Sequence, residues 1–249
     1  MPKWLKFLLL GLVGLLLVGS GGFVLWASNP LPAMPEALAA LQSDDRVEVR
    51  VEGSWMTFVP RSGSPGAGFV FYPGGRVDAR AYAPLAHEIA AQGFLVVIVR
   101  IPLNLAVFNP NAAEAVLATY PEVQGWVVGG HSLGGAMAAS FARQNLSQVE
   151  GLILLASYPA SSADLSATDL AVLSIYATQD GLASVDKIRA AQTLLPASTQ
   201  WVAIEGGNHA QFGWYGEQPG DGVATLSRSE QHRQTLAAIL KFLESVQSR

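Results

Sequence analysis

The 249-residue sequence contains no cysteine. That excludes disulfides, thiolate nucleophiles, Cys-ligated metals and lipid attachment through an N-terminal cysteine. Charge is also scarce, at 14% of residues, partly because the N-terminal segment carries so little. The body of the chain has no block of Lys or Arg, and the formal net charge is −4. Nucleic acid is therefore not an expected partner. The four histidines show no pairing, with each other or with carboxylates, of the kind that binds a metal. Neither a metal nor another cofactor is expected. Internal repeats and low-complexity tracts are missing too.

What the N-terminus does hold is an uncharged apolar run from Phe7 to Ala27, preceded by Lys3 and Lys6. At about 1.5 Å per helical residue it just spans a hydrocarbon core of about 30 Å. A cleaved signal peptide has a shorter apolar region and ends in small residues. Here Leu25-Trp26-Ala27 is a poor cleavage site, and Val18-Gly19-Ser20 a weak one. Trp4 and Trp26 bracket the run as interfacial aromatics do. Residues 1–28 read as an uncleaved membrane anchor, with export after signal cleavage as the alternative. Lys3 and Lys6 are expected to stay cytoplasmic, which puts the following domain outside.

Residues 29–45 form a Pro-rich spacer, with Pro30, Pro32 and Pro35 favouring extended chain. Residues 46–249 suit one α/β domain. An antiparallel pair is expected at 46–51 and 55–59, around Gly53. Strands follow at 68–72, 94–99, 126–129, 152–156, 172–177 and 200–204. Helices are expected at 79–92, 112–119, 132–144, 185–195 and 229–246. This alternation implies a mostly parallel sheet with helices on both faces. The stretch 157–171 is too short for a large helical lid.

One pentapeptide carries chemistry: Gly130-His131-Ser132-Leu133-Gly134, a G-x-S-x-G pattern. It follows the apolar strand Trp126–Val128 and opens an Ala-rich helix. Such a sharp strand-to-helix turn exposes a serine Oγ, and the crowding there demands small residues two positions either side. A serine hydroxyl needs a base to take its proton. His131 lies inside the turn, and His87 and His232 fall within helices beside polar neighbours, where solvation explains them. His209 follows the last strand in a loop, where a base is needed. Asp180 ends the preceding strand and would orient His209, with Asp186 and Glu205 as fallback acids. An oxyanion hole needs two backbone N–H donors. Leu133 supplies one. The loop after the 68–72 strand supplies the other, from Gly75 or secondly Gly74, since Pro73 has no N–H.

These residues resemble the α/β-hydrolase superfamily over nearly everything after residue 45. The sequence is similar to a group of small bacterial hydrolases, the "alpha/beta hydrolase fold-5" family. The matching segments are Phe71–Gly75, Pro102–Ala106, Gly130–Gly135 and Gly206–Gly213. The resemblance implies an α/β-hydrolase fold without a large lid domain, and a triad of Ser132, Asp180 and His209. It implies a serine hydrolase of the carboxylic-ester type acting on a small-molecule acyl substrate. An acyltransferase with the same triad and a catalytically silent binding protein on the same fold are the alternatives. Pro102–Pro110 and Phe212–Tyr215 could line an acyl pocket or serve as loop packing. Arg76 and Arg100, near strand ends, could meet an anionic group or simply be solvated. Oligomeric state stays open.

Overall fold

The computed structural model describes residues 2–62 and 66–248. Helix α1 (Lys3–Ala27) stands clear of the domain for most of its length, and only its last residue, Ala27, is buried. It is long and apolar enough to cross a membrane, a property that signal sequences share. The Pro-rich segment after it is docked on the domain. Leu31 forms a parallel bridge with Val77, and the Met34 N–H donates to the Trp214 carbonyl. A short helix, α2 (Pro35–Ala39), starts at Pro35, where a helix tolerates proline.

The domain then runs β1 (Val47–Glu52), β2 (Trp55–Pro60), β3 (Ala67–Tyr72), α3 (Ala83–Ala90), β4 (Leu95–Val99) and α4 (Ala112–Thr119). It continues with β5 (Gly125–His131), α5 (Leu133–Gln144), β6 (Gly151–Leu155), β7 (Ala171–Ala177), α6 (Val185–Ala190), β8 (Gln200–Ile204) and α7 (Arg228–Gln247). The eight strands form one sheet in the order β1-β2-β4-β3-β5-β6-β7-β8, antiparallel around β2 and parallel from β4 to β8. The unbroken apolar run of β4 follows from this burial. Val96 and Ile98 enter the core on one face, Leu95, Val97 and Val99 the core on the other. The helix expected over 79–92 divides instead. A 3-10 turn occupies Ala79–Tyr82 and α3 begins at Ala83, because Pro84 can stand only in a first turn. Likewise the helix expected over 185–195 ends at Ala190 and continues as a 3-10 turn to Leu194.

From β3 the chain winds toward one edge of the sheet, and from β5 toward the other. The carboxyl ends of β3 and β5 therefore border a topological switch point, the place where open α/β sheets bind ligands. Glycines let the backbones meet there. A Cβ on Gly134 would lie 2.2 Å from the Tyr72 carbonyl oxygen and 2.3 Å from that of Pro73, and one on Gly130 would lie 2.4 Å from Tyr72 O. These obstacles are backbone and cannot swing aside. Gly134→Ala should cost about 3 kcal/mol or more. Gly14→Ala, in open space on α1, should cost nothing. Chemical denaturation of the two variants checks this; equal midpoints would refute the close-approach argument.

Candidate active site

Strand β5 ends at His131, and Ser132 turns the chain into α5 with φ 53° and ψ −124°. A non-glycine residue there costs on the order of 1–3 kcal/mol and persists only when its surroundings impose it. Three hydrogen bonds impose it. The Ser132 N–H donates to Leu155 O at 3.0 Å, and its carbonyl accepts from Ala136 N–H at 3.2 Å and from the Ser157 hydroxyl at 2.6 Å. Ser157 drew no attention in the sequence, because its role depends on the neighbouring strand β6.

Asp180 follows β7 in a tight turn. Its Oδ1 accepts the N–H groups of Leu182 and Ala183, both at 2.7 Å, and its Oδ2 accepts from His209 Nδ1 at 2.8 Å. Both side chains are essentially fully buried. With Nδ1 donating to Asp180, the imidazole presents Nε2 as its free acceptor. Nε2 makes no hydrogen bond within the described residues. His209 and Ser132 line one cavity of about 290 Å³, together with Leu133, Ala136, Tyr158 and Leu182. The hydroxyl and Nε2 share this cavity without a mutual hydrogen bond, and such bonds often tighten only around a substrate. The fallback acids are elsewhere. Asp186 is exposed in the first turn of α6, and Glu205 is exposed after β8.

The loop after β3 lies against the start of α5. A Cβ on Gly75 would sit 3.1 Å from Leu133 Cδ2. The N–H groups of Gly75 and Leu133 carry no hydrogen bond within the described residues, whereas the Gly74 N–H is committed to the Tyr82 hydroxyl at 3.1 Å. That leaves Gly75 as the free donor of the pair. The Tyr82 hydroxyl lies 2.8 Å from His131 Nδ1. Since it accepts from Gly74, it satisfies its own proton by donating to Nδ1, which puts the His131 proton on Nε2. The His131 ring packs on His209, with centroids 4.4 Å apart. Burial, and then the electrostatic influence of neighbouring His209, hold His131 well below its ordinary pKa, so it stays neutral. His87 and His232 are half-sheltered rather than solvated, near Asp44 at 3.8 Å and Glu88 at 3.3 Å respectively.

Asp221 is a further organiser that sequence reasoning missed. Its Oδ1 accepts from the N–H groups of His209 and Gly181, each at 3.2 Å, and its Oδ2 accepts from Ala210 N–H at 2.8 Å. One carboxylate thus ties the Asp180 turn to the His209 loop. No local motif announces it in the stretch Gly216–Gly222. Arg76 is occupied by the end of α1, as described below, and Arg100 reaches Gly53 O at 3.2 Å. Among the described residues no cluster of His, Asp or Glu is suited to a metal. A larger cavity of about 710 Å³ beside Arg80, Arg100 and Pro102 contains neither Ser132 nor His209.

A mostly parallel sheet with a strained serine in the sharp turn after a central strand, at the switch point, is the arrangement of an α/β-hydrolase fold. The chain belongs to the alpha/beta hydrolase family, whose model matches residues 68–233. Among solved structures it is similar to a predicted CIB-like hydrolase from Thermoplasma acidophilum, at 14% identity and TM-score 0.59, covering 78% of this chain and 99% of that one. It is also similar to the esterase domain of a Rhodothermus marinus protein, at 11% identity and TM-score 0.59, covering 79% and 97%. At these identities the likeness is one of fold. No curated protein matches the sequence.

The neutrality of His131 has a measurable consequence. Unfolded, the imidazole takes up a proton near pH 6.5; folded, it does so only well below that. Its contribution to stability is therefore fully present above about pH 6.5 and is lost as pH falls below it, by up to about 1.4 kcal/mol per pH unit. Thermal unfolding followed from about pH 8 to about pH 5 should show a shallower decline for His131→Gln than for the wild type. Parallel curves would contradict the assignment.

Proposed function

We propose that the protein is a serine hydrolase that cleaves a carboxylic ester, or a related acyl bond, through Ser132, His209 and Asp180. The observation that carries the reading is the buried 2.8 Å bond from His209 to Asp180, with Nε2 left unpartnered in the cavity that Ser132 lines. A base already oriented by a carboxylate, beside a strained serine at a helix start, is the arrangement that acyl transfer requires.

In this mechanism Ser132 Oγ attacks the acyl carbon and His209 Nε2 takes the hydroxyl proton. Asp180 stabilises the imidazolium that forms. The tetrahedral oxyanion lies against the N–H groups of Leu133 and Gly75. The intermediate then collapses, and the leaving alcohol carries off the proton from Nε2. Water repeats the cycle on the acyl-enzyme, releasing the acid and regenerating Ser132. Neither metal nor organic cofactor has a part in these steps. The length and apolarity of α1 further support a retained anchor, with the domain on the extracytoplasmic side.

A fluorophosphonate probe should label the wild type but not Ser132→Ala. Asp180→Asn should lower kcat by about 10² or more with KM nearly constant, since the wrong imidazole tautomer harms mainly the transition state. Asp186→Asn and Glu205→Gln should stay near wild type; a collapse in either, with Asp180→Asn active, would move the acid. Topology is tested separately. Protease added to intact spheroplasts should digest the domain, and protection until lysis would reverse the orientation.

A further inference from the structure

Outside α1, the exposed large apolar residues among the described ones include Val107, Phe108 and Val223. All three stand on loops at the carboxyl edge of the sheet, where Ser132 opens. Scattered apolar side chains need no explanation. Phe108, which follows Val107 directly, differs because it packs on α1. The Phe108 ring meets Phe23 of α1 edge-on at 6.1 Å. Leu103 and Phe108 border an apolar groove of about 440 Å³, whose other wall includes Leu16, Gly19 and Phe23.

The position of α1 is set by polar contacts at its end. Arg76 donates from Nε to Trp26 O at 3.0 Å and from Nη2 to Asn29 O at 2.7 Å, with its guanidinium 4.2 Å from the Trp26 ring centroid. Asn104 Nδ2 donates to Ala27 O at 3.0 Å. At about 1.5 Å per residue, Phe23 lies about 6 Å and Leu16 about 16 Å along the helix from Ala27. In a helix that spans a bilayer, both depths fall within the apolar slab of about 30 Å. The segment Leu103–Phe108 that packs on them then reaches the boundary between headgroups and acyl chains. The same segment turns Leu105 toward the site, where a Cβ on Gly75 would lie 3.6 Å from Leu105 Cδ2. One loop thus joins the groove beside α1 to the Gly75 turn that faces Leu133.

We propose that the substrate is a long-chain acyl ester of a membrane-resident amphiphile, admitted to Ser132 from the bilayer along the groove between α1 and Leu103–Phe108. This rests on the serine-hydrolase reading above and on α1 as a retained span. An ester taken directly from the leaflet avoids moving its chain through water, which is unfavourable for every methylene. The cavity at Ser132 is lined mainly by apolar side chains, Leu133, Ala136, Tyr158 and Leu182 among them, as an acyl chain requires.

The test uses the full chain in phosphatidylcholine vesicles with two esters in parallel: water-soluble p-nitrophenyl butyrate and a pyrene-labelled diacylglycerol in the bilayer. The wild type should hydrolyse both. In the Val107→Ser/Phe108→Ser double variant, the ratio of vesicle-borne to soluble turnover should fall at least tenfold. An unchanged ratio would overturn the proposal. So would a wild type active on the soluble ester alone, and that result would leave the serine-hydrolase reading standing. Failure on both esters, without fluorophosphonate labelling, would sink the hydrolase reading itself. A second arm reads the membrane contact without any turnover. Because the chain has no cysteine, Phe108→Cys can carry a single nitrobenzoxadiazole label. Blue-shifted emission, quenched by nitroxide-bearing lipid, is expected. Emission typical of water would refute the contact whatever the activity.

Discussion

The backbone of Ser132 is held where an ordinary residue avoids going, and much of the domain is arranged around that fact. With φ at 53° the serine pays a conformational cost that local sequence cannot offset. Relief comes from three directions: a strand carbonyl at Leu155, a hydroxyl at Ser157 and the first turn of α5. Gly130 and Gly134 then let α5 approach β3 until backbone meets backbone. That approach brings Leu133 and Gly75 close together, so the geometry of Ser132 and that of the two unpartnered N–H groups are one constraint seen from two sides.

The opposite side of the cleft is organised by carboxylates accepting backbone N–H groups. Asp180 spends one oxygen on its own turn and the other on His209. Asp221, from a loop late in the chain, holds Gly181 and His209 together. Charge-assisted bonds of this kind are short and directional, which suits loops that lack a packed core of their own. Behind them His131, Tyr82 and Gly74 form a buried chain of hydrogen bonds. It fixes the glycine loop at one end, and at the other it supports His209 with a ring that stays uncharged.

What was legible in the sequence follows a physical rule. Features with a local cause could be read. The apolar run of β4 signals burial on both faces, G-x-S-x-G signals a crowded turn, and chain order suggests Asp180 and His209. The division of the helix over 79–92 was also written locally, in Pro84, and the apolar periodicity masked it. Features that arise from distant approach could not be read. Tyr82 removes Gly74 as a donor only because the turn before α3 brings its hydroxyl against both the Gly74 N–H and His131 at the end of β5. Asp221 lies in a Gly-rich stretch like any turn former, and its partners become neighbours only in the fold. Arg76 read as an anion contact or a solvated charge, yet its partners are the carbonyls of Trp26 and Asn29.

That last contact makes the end of α1 part of the hydrolase domain rather than an appendage to it. Arg76 adjoins Gly75, so the residues that grip Trp26, Ala27 and Asn29 also shape the loop facing Leu133. Two shortened chains that look alike on paper are therefore physically different. A chain cut near Gly19 keeps Trp26 and its neighbours, and with them a complete brace on the loop. One that starts after the prolines loses both acceptors of the Arg76 guanidinium, next to the Gly75 N–H. The domain boundary set by hydrogen bonding thus falls at Trp26, inside the apolar helix rather than after it.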